Sequence, residues 1–209
     1  MKKLLLLALP ILMLSCSSDD DNANVPVIPT PAAGVAYFRA NVNGVPTDYT
    51  YNYTSATTAY GFSNSASGSP GGMVFSYGGA LSTAAFSPTF TVYFDNMYVG
   101  GYEDESDNFY TTFATLPTNY LTNTQIDAYV KGIEIDYEKN GNQYNSGYGS
   151  QAGSTFTITS STQGIEDGGS LKVKTVIGTL SCKLYNVDDV TDVVTISNGS
   201  FKVILREDY

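Results

Sequence analysis

The 209-residue chain contains no His and no Trp, only two Cys, and ten basic residues against 20 acidic ones. Without His there is no Ser-His-Asp triad, no imidazole acid or base, and no His-ligated zinc. Two thiols can build neither a disulfide scaffold nor a four-thiolate zinc site. A formal net charge of −10 argues against a nucleic-acid partner, because phosphate backbones are bound by basic surfaces. What the chain does have is 42% hydrophobic residues and 17 Tyr, enough to bury a core and to exclude wholesale disorder. No cofactor-binding motif is present, and at this length a single folded domain is expected.

The first residues, MKKLLLLALPILMLSC, place Lys2 and Lys3 before an apolar stretch from Leu4 to Leu14. Eleven positions are too few for a helix to span a bilayer, which takes about 20. Residues 1–15 therefore read as a signal peptide. Its end, Met13-Leu14-Ser15-Cys16, resembles a bacterial lipobox, although Leu14 stands where a small residue is usual and Met13 where Leu is. The resemblance implies that Cys16 is lipidated (diacylglyceryl thioether and an amide-linked acyl chain such as palmitate) and becomes the new amino terminus. Ser17-Ser18-Asp19-Asp20-Asp21 follows directly. Ser18 with Asp19, Asp20 and Asp21 resembles the export signal that sends Bacteroidota lipoproteins to the outer face of the outer membrane. Physically, anchoring needs more than one acyl chain, each buried methylene contributing about 0.8 kcal/mol. Residues 16–34, with Pro26, Pro29 and Pro31, read as an acidic and then semi-rigid tether.

Residues 35–209 read as one all-β domain, an antiparallel β-sandwich or, alternatively, a closed antiparallel barrel. Phe38, Ala40 and Val42 alternate with Arg39 and Asn41, and Asn43-Gly44 predicts a type I′ hairpin turn. Pro46 marks an edge strand. Runs at Ala59–Ser63, Met73–Tyr77 and Thr89–Asp95 follow, with Ser63–Gly72 a loop by composition. Ile133, Ile135 and Tyr137 define a core face before an Asn140-Gly141 turn into Gln143–Tyr148. Leu171–Tyr185 changes parity, which predicts a bulge near Gly178. Asn198-Gly199 predicts a last hairpin with Ile196 facing Phe201 and Val194 facing Val203. The spacing of Phe109, Phe113 and Leu116, ended by Pro117, predicts one short helix near 107–116; residues 123–131 fit a helix or a strand.

The order of Phe38–Val45, GIEIDYEKNGNQYN at 132–145, STFTITSS at 154–161, GTLSCKLY at 178–185 and ISNGSF at 196–201 resembles uncharacterised surface-exposed lipoproteins of the Bacteroidota. The shared motifs are turns and core strands. The likeness implies a location, the outer membrane facing the cell exterior, and no catalytic residue.

Four groups of residues bear on function. Glu134, Asp136 and Glu138 share one strand face at spacings of about 6.5–7 Å, a geometry open to an inverting glycosidase pair. Because Ile133, Ile135 and Tyr137 take the core side, these acids are expected to be solvated. Glu103, Asp104, Glu105 and Asp107 form a weak calcium candidate; they lack the EF-hand order, and acids before a helix need no metal. Asp188, Asp189 and Asp192 are read in the same way. Tyr49, Tyr51 and Tyr53 alternate on one face, a possible glycan platform or simply core margin. Cys182, in phase with Leu180 and Leu184, is expected to be a buried, inert thiol. The expectation is a non-enzymatic lipoprotein whose domain binds a glycan, a polymer or an envelope protein. A carboxylate-based glycan hydrolase and an accessory subunit of an outer-membrane complex are the alternatives.

Overall fold

The structure is a computed structural model that describes residues 36–52, 56–69, 71–165 and 171–207. The expected signal peptide and tether, with Cys16, Ser18 and Asp19–Asp21, and also Tyr53 lie outside the described residues.

Eleven strands form one antiparallel sheet: β1 (Ala36–Val42), β2 (Val45–Tyr51), β3 (Thr58–Phe62), β4 (Ser65–Ser69), β5 (Gly72–Thr83), β6 (Thr89–Gly100), β7 (Gly132–Lys139), β8 (Asn142–Asn145), β9 (Thr155–Ile165), β10 (Lys172–Asn186) and β11 (Val193–Arg206). Two helices, α1 (Tyr102–Thr112) and α2 (Asn123–Asp127), sit between β6 and β7. The strand order is β2-β1-β11-β10-β8-β7-β6-β5-β3, with β4 on β5 and β9 on β10. The end strands approach each other: Thr58 Oγ1 donates to the Thr50 carbonyl at 2.7 Å, and Tyr51 stacks on Tyr60. The sheet is thus curled into a nearly closed barrel, the option that removes most exposed edge. Among the described residues no helix is long and apolar enough to cross a membrane.

The barrel interior is the core. Phe38 and Phe90 stack across it with centroids 3.4 Å apart, and Phe94, Phe156 and Phe201 fill the space beside them. Helix α1 adds Phe109 and, at its C-cap, Phe113, which meet the Tyr77 ring edge-on. On the outside of β1, Arg39 is buried and ion-paired at 2.9 Å with Asp48, the residue directly opposite it on β2.

The Asn-Gly turns at 43–44 and 140–141 have positive φ at both residues, as a type I′ turn requires. A register shift falls at Ile177/Gly178, where a Cβ on Gly178 would lie 2.7 Å from the Phe201 ring. Cys182 is buried beside Leu180 and Leu184, and burial pushes its thiol up to about 12 against a hydrogen bond from Tyr120.

Several expectations need correction. Asn198-Gly199 is not a hairpin turn. β11 runs straight through it, paired with β10 on one side and β1 on the other, and the residues around Asn198 form a bulge in both pairings. The bulge moves the core face from Val194 and Ile196 to Phe201, Val203 and Leu205, which explains the apolar pattern without a turn. The Ser63–Gly72 stretch holds strand β4, since backbone pairing to β5 needs little from its side chains. The strand expected at Gln143–Tyr148 ends at Asn145 and continues as a 3-10 turn, Ser146–Tyr148. Helix α1 begins at Tyr102, not Asp107, with Glu103, Asp104 and Glu105 in its first turn, where the positive end of the helix favours acids.

Candidate functional site

Strand β7 presents Ile133, Ile135 and Tyr137 to the core, so Glu134, Asp136 and Glu138 point outward, as the alternation requires. They are not a fully solvated face, however. All three are half-buried, because two other pieces of chain stand over this part of the barrel wall. One is α2, held by a capping box in which the Thr122 backbone N–H donates to Gln125 Oε1 at 2.9 Å. The other is the 3-10 turn carrying Tyr148. The expectation that Glu134, Asp136 and Glu138 form a solvated face is therefore overturned.

Between these pieces and the sheet lies a groove in two lobes of about 540 and 460 Å³. The lobes share Tyr93, Ile126, Asp127, Glu134 and Asp136. Registration builds the floor. Tyr93 on β6 pairs with Glu134, and Asp136 pairs with Asn145 on β8. The Tyr93 ring lies over Gly78, its opposite number on β5, where any Cβ would come within 2.7 Å of the ring. Tyr93 Oη is 2.5 Å from Ser63 Oγ, which fixes the ring from the other side. Two further Tyr rings stand at the groove with open faces: Tyr148 at 40% exposure and Tyr129 at 39%.

Asn145 organises the acids. Its Nδ2 donates to Asp136 Oδ1 at 2.6 Å and also to Glu134 Oε1, while its Oδ1 accepts from the Gly147 N–H at 2.5 Å. One amide therefore ties the 3-10 turn to two carboxylates on the neighbouring strand.

A third carboxylate, Asp95, was not anticipated. A bulge in β6 places Asp95, Asn96 and Met97 opposite the single residue Ser76 of β5. Asn96 adopts positive φ, its N–H donates to Ser76 Oγ at 3.0 Å, and its side chain donates to the Val130 carbonyl at 2.9 Å. The bulge lets Met97 re-enter the core while Asp95 turns outward, diagonal to Glu134. Asp95 is only 6% exposed, and its carboxyl is hydrogen-bonded to Glu134 and Ser76. Burial, and then the neighbouring Glu134 carboxylate, pushes its carboxyl up to about 8 against a hydrogen bond from Ser76. Burial and Glu134 likewise push Asp136 up to about 7, with Asn145 pulling in the opposite direction. The groove thus holds carboxyl groups that keep protons near neutrality. The only sequence signal for Asp95 was its parity with Tyr93 on the outward face.

The other candidates lie elsewhere. Tyr49 is inside the core, stacked on Phe38, and Tyr51 is half-buried against Tyr60, so the pair offers no open platform. Helix α1 disperses its acids: Glu105 is fully buried and accepts from the Tyr77 hydroxyl, while Glu103, Asp104 and Asp107 are exposed. Asp192 accepts from Tyr144 and Asn186, and hydrogen bonds from Thr191 hold exposed Asp189 below the usual carboxylate range. Among the described residues, no three His, Cys, Asp or Glu side chains are grouped to hold a metal ion. No family matches the chain, nor does any curated protein or solved structure.

Proposed function

We propose that this protein is a lipid-anchored, non-enzymatic glycan-binding protein of the bacterial outer membrane, and that the ligand lies in the groove over β6, β7 and β8. The observation that carries the reading is the groove's composition. Tyr93, Tyr129 and Tyr148 offer ring faces to sugar C–H surfaces, and carboxyls and amides on the floor suit hydroxyl groups. The lipobox-like end at Cys16 and the Ser18–Asp21 run support the anchor and the outward face. This replaces the Tyr49, Tyr51 and Tyr53 stripe as the binding surface. Binding of an envelope protein or another polymer is the weaker form of the same idea, since the site is a groove and not a flat face.

Calorimetric titration of the purified protein with a panel of oligosaccharides tests the reading. At least one glycan is expected to bind with a Kd between about 1 μM and 1 mM, without being cleaved. Absence of binding across the panel contradicts it. A carboxylate-based hydrolase is the second reading, favoured by the proton-holding Asp95 and Asp136 beside Glu134. Release of shorter products during the same titrations selects the hydrolase. For location, Cys16→Ser should leave the protein unlipidated, and Asp19, Asp20 and Asp21 to Ala should leave it membrane-bound but shielded from protease added to intact cells.

A further inference from the structure

Strand β9 is held from one side. Among the described residues its partner is β10, and no backbone hydrogen bond from another segment reaches residues 156–163. The N–H and C=O groups of a strand point to both of its edges, so a row of each faces away from β10. Natural sheets guard such an edge with charge, above all Lys, or with Pro. β2, the strand at one end of the sheet, follows that rule with Pro46 and Asp48, and β3 approaches it as well. From Thr155 to Ile165 there is neither a charged residue nor a Pro, and most of these residues are exposed. The register shift at Ile177/Gly178 is closed from within, the Thr159 hydroxyl donating back to the Ile177 carbonyl at 3.2 Å. Beside the strand lies a trough of about 510 Å³, bounded by the 113–118 segment that follows α1. Phe113, Leu116, Phe156 and Ile158 stand in its lining among Thr and Ser hydroxyls, with no charged group. Two tyrosines frame it: Tyr110 donates to the Gly164 carbonyl at 2.5 Å and Tyr120 to the Thr155 carbonyl at 3.0 Å.

We infer that the free edge of β9 takes up an extended segment of a partner protein as a further strand, whose alternate apolar side chains enter the trough. The backbone chooses the class of occupant. A row of N–H and C=O groups at strand spacing is matched residue for residue by another strand, and a pocket beside it reads every second side chain. The trough chooses between a foreign segment and a second copy. Another β9 would supply the backbone, but Ser160–Gln163 brings hydroxyls and an amide toward Phe113 and Leu116. A formal net charge of −10 also makes two copies repel and favours basic residues flanking the incoming segment. The trough shares no residue with the groove over β6, β7 and β8, so neither reading depends on the other.

The test uses the purified full chain and fluorescein-labelled heptapeptides, Lys-Xaa-Thr-Xaa-Thr-Xaa-Lys with Xaa as Val, Leu or Phe. Each has two controls: a permuted peptide, Lys-Xaa-Xaa-Xaa-Thr-Thr-Lys, and one with Pro at the central position, which lacks that N–H. At least one alternating peptide is expected to bind with a Kd between about 1 μM and 1 mM, about tenfold or more tighter than both its controls. Bound peptide should slow amide hydrogen exchange about tenfold within Thr157–Gln163. Thr157→Lys and, separately, Ser161→Lys set a guarding charge at exposed positions beside the trough. Each should weaken binding about tenfold while melting like the wild type. Equal binding of alternating and permuted peptides overturns the inference, because adsorption to the trough then needs no strand pairing. Failure of every alternating peptide, or undiminished binding to both Lys variants, overturns it too. A dimer in sedimentation that Ser161→Lys dissolves assigns the edge to a second copy and likewise overturns it.

Discussion

Phe201→Asp should abolish the cooperative fold. The Phe201 ring is fully buried, packs 5.1 Å from Phe156 and occupies the space left open by Gly178. Its loss forfeits about 3–5 kcal/mol of packing. The introduced carboxylate then sits inside the barrel with no cation provided, adding several kcal/mol or forcing protonation. Together these approach the whole stability of an ordinary domain, about 5–15 kcal/mol. Phe201→Leu, which keeps the site apolar, should cost about 1–2 kcal/mol and still melt cooperatively. Circular dichroism melts of the three proteins distinguish these outcomes. An unchanged midpoint for Phe201→Asp would mean that this face of β11 is not core.

Raising the pH should weaken the fold through the groove, and Asp95→Asn should remove much of that weakening. In an unfolded chain an Asp carboxyl titrates near 3.9, whereas in the folded protein Asp95 is raised to about 8 and Asp136 to about 7. Between those values the folded state binds more protons than the unfolded one. Stability therefore falls as pH climbs from about 4, and the loss is complete only above about 8. The Glu134 carboxylate raises both groups, so the loss belongs to the cluster and amounts to several kcal/mol. An Asn at position 95 carries no charge at any pH and can donate to Glu134. The variant should equal or trail the wild type at pH 5 and exceed it at pH 9, with about 5–10 °C between the Tm values at the higher pH. Parallel Tm profiles from pH 5 to 9 would contradict the buried-carboxyl cluster.

Local signals in the sequence read correctly where one strand pair decides the outcome. Asn43-Gly44 and Asn140-Gly141 each join two neighbouring strands, and both are hairpin turns. Asn198-Gly199 carries the same dipeptide, yet β10 and β1 pair along both edges of β11 and hold the chain straight. A left-handed Asn serves a bulge as well as a turn, so only the partner strands separate the two. The length of Leu171–Tyr185 was the available clue, because a 15-residue strand needs a partner of similar length. For the site, parity correctly turned Glu134, Asp136 and Glu138 away from the core. Their burial was not legible, because it depends on α2 and the 3-10 turn folding back over the strand. Asp95 was hidden for a related reason: its position depends on a bulge closed by Ser76, which lies 19 residues earlier in the chain.

The central claim, that ligand occupies the groove over β6, β7 and β8, is tested most directly by following the backbone amide resonances of the isotopically labelled protein during titration with a bound oligosaccharide. The expected result is a set of dose-dependent shifts at Tyr93, Asp95, Glu134, Asp136, Asn145 and Tyr148, all weakened by Tyr148→Ala. Shifts confined instead to the trough of about 510 Å³ between Phe113, Leu116, Phe156 and Ile158 would place the ligand elsewhere and contradict the account.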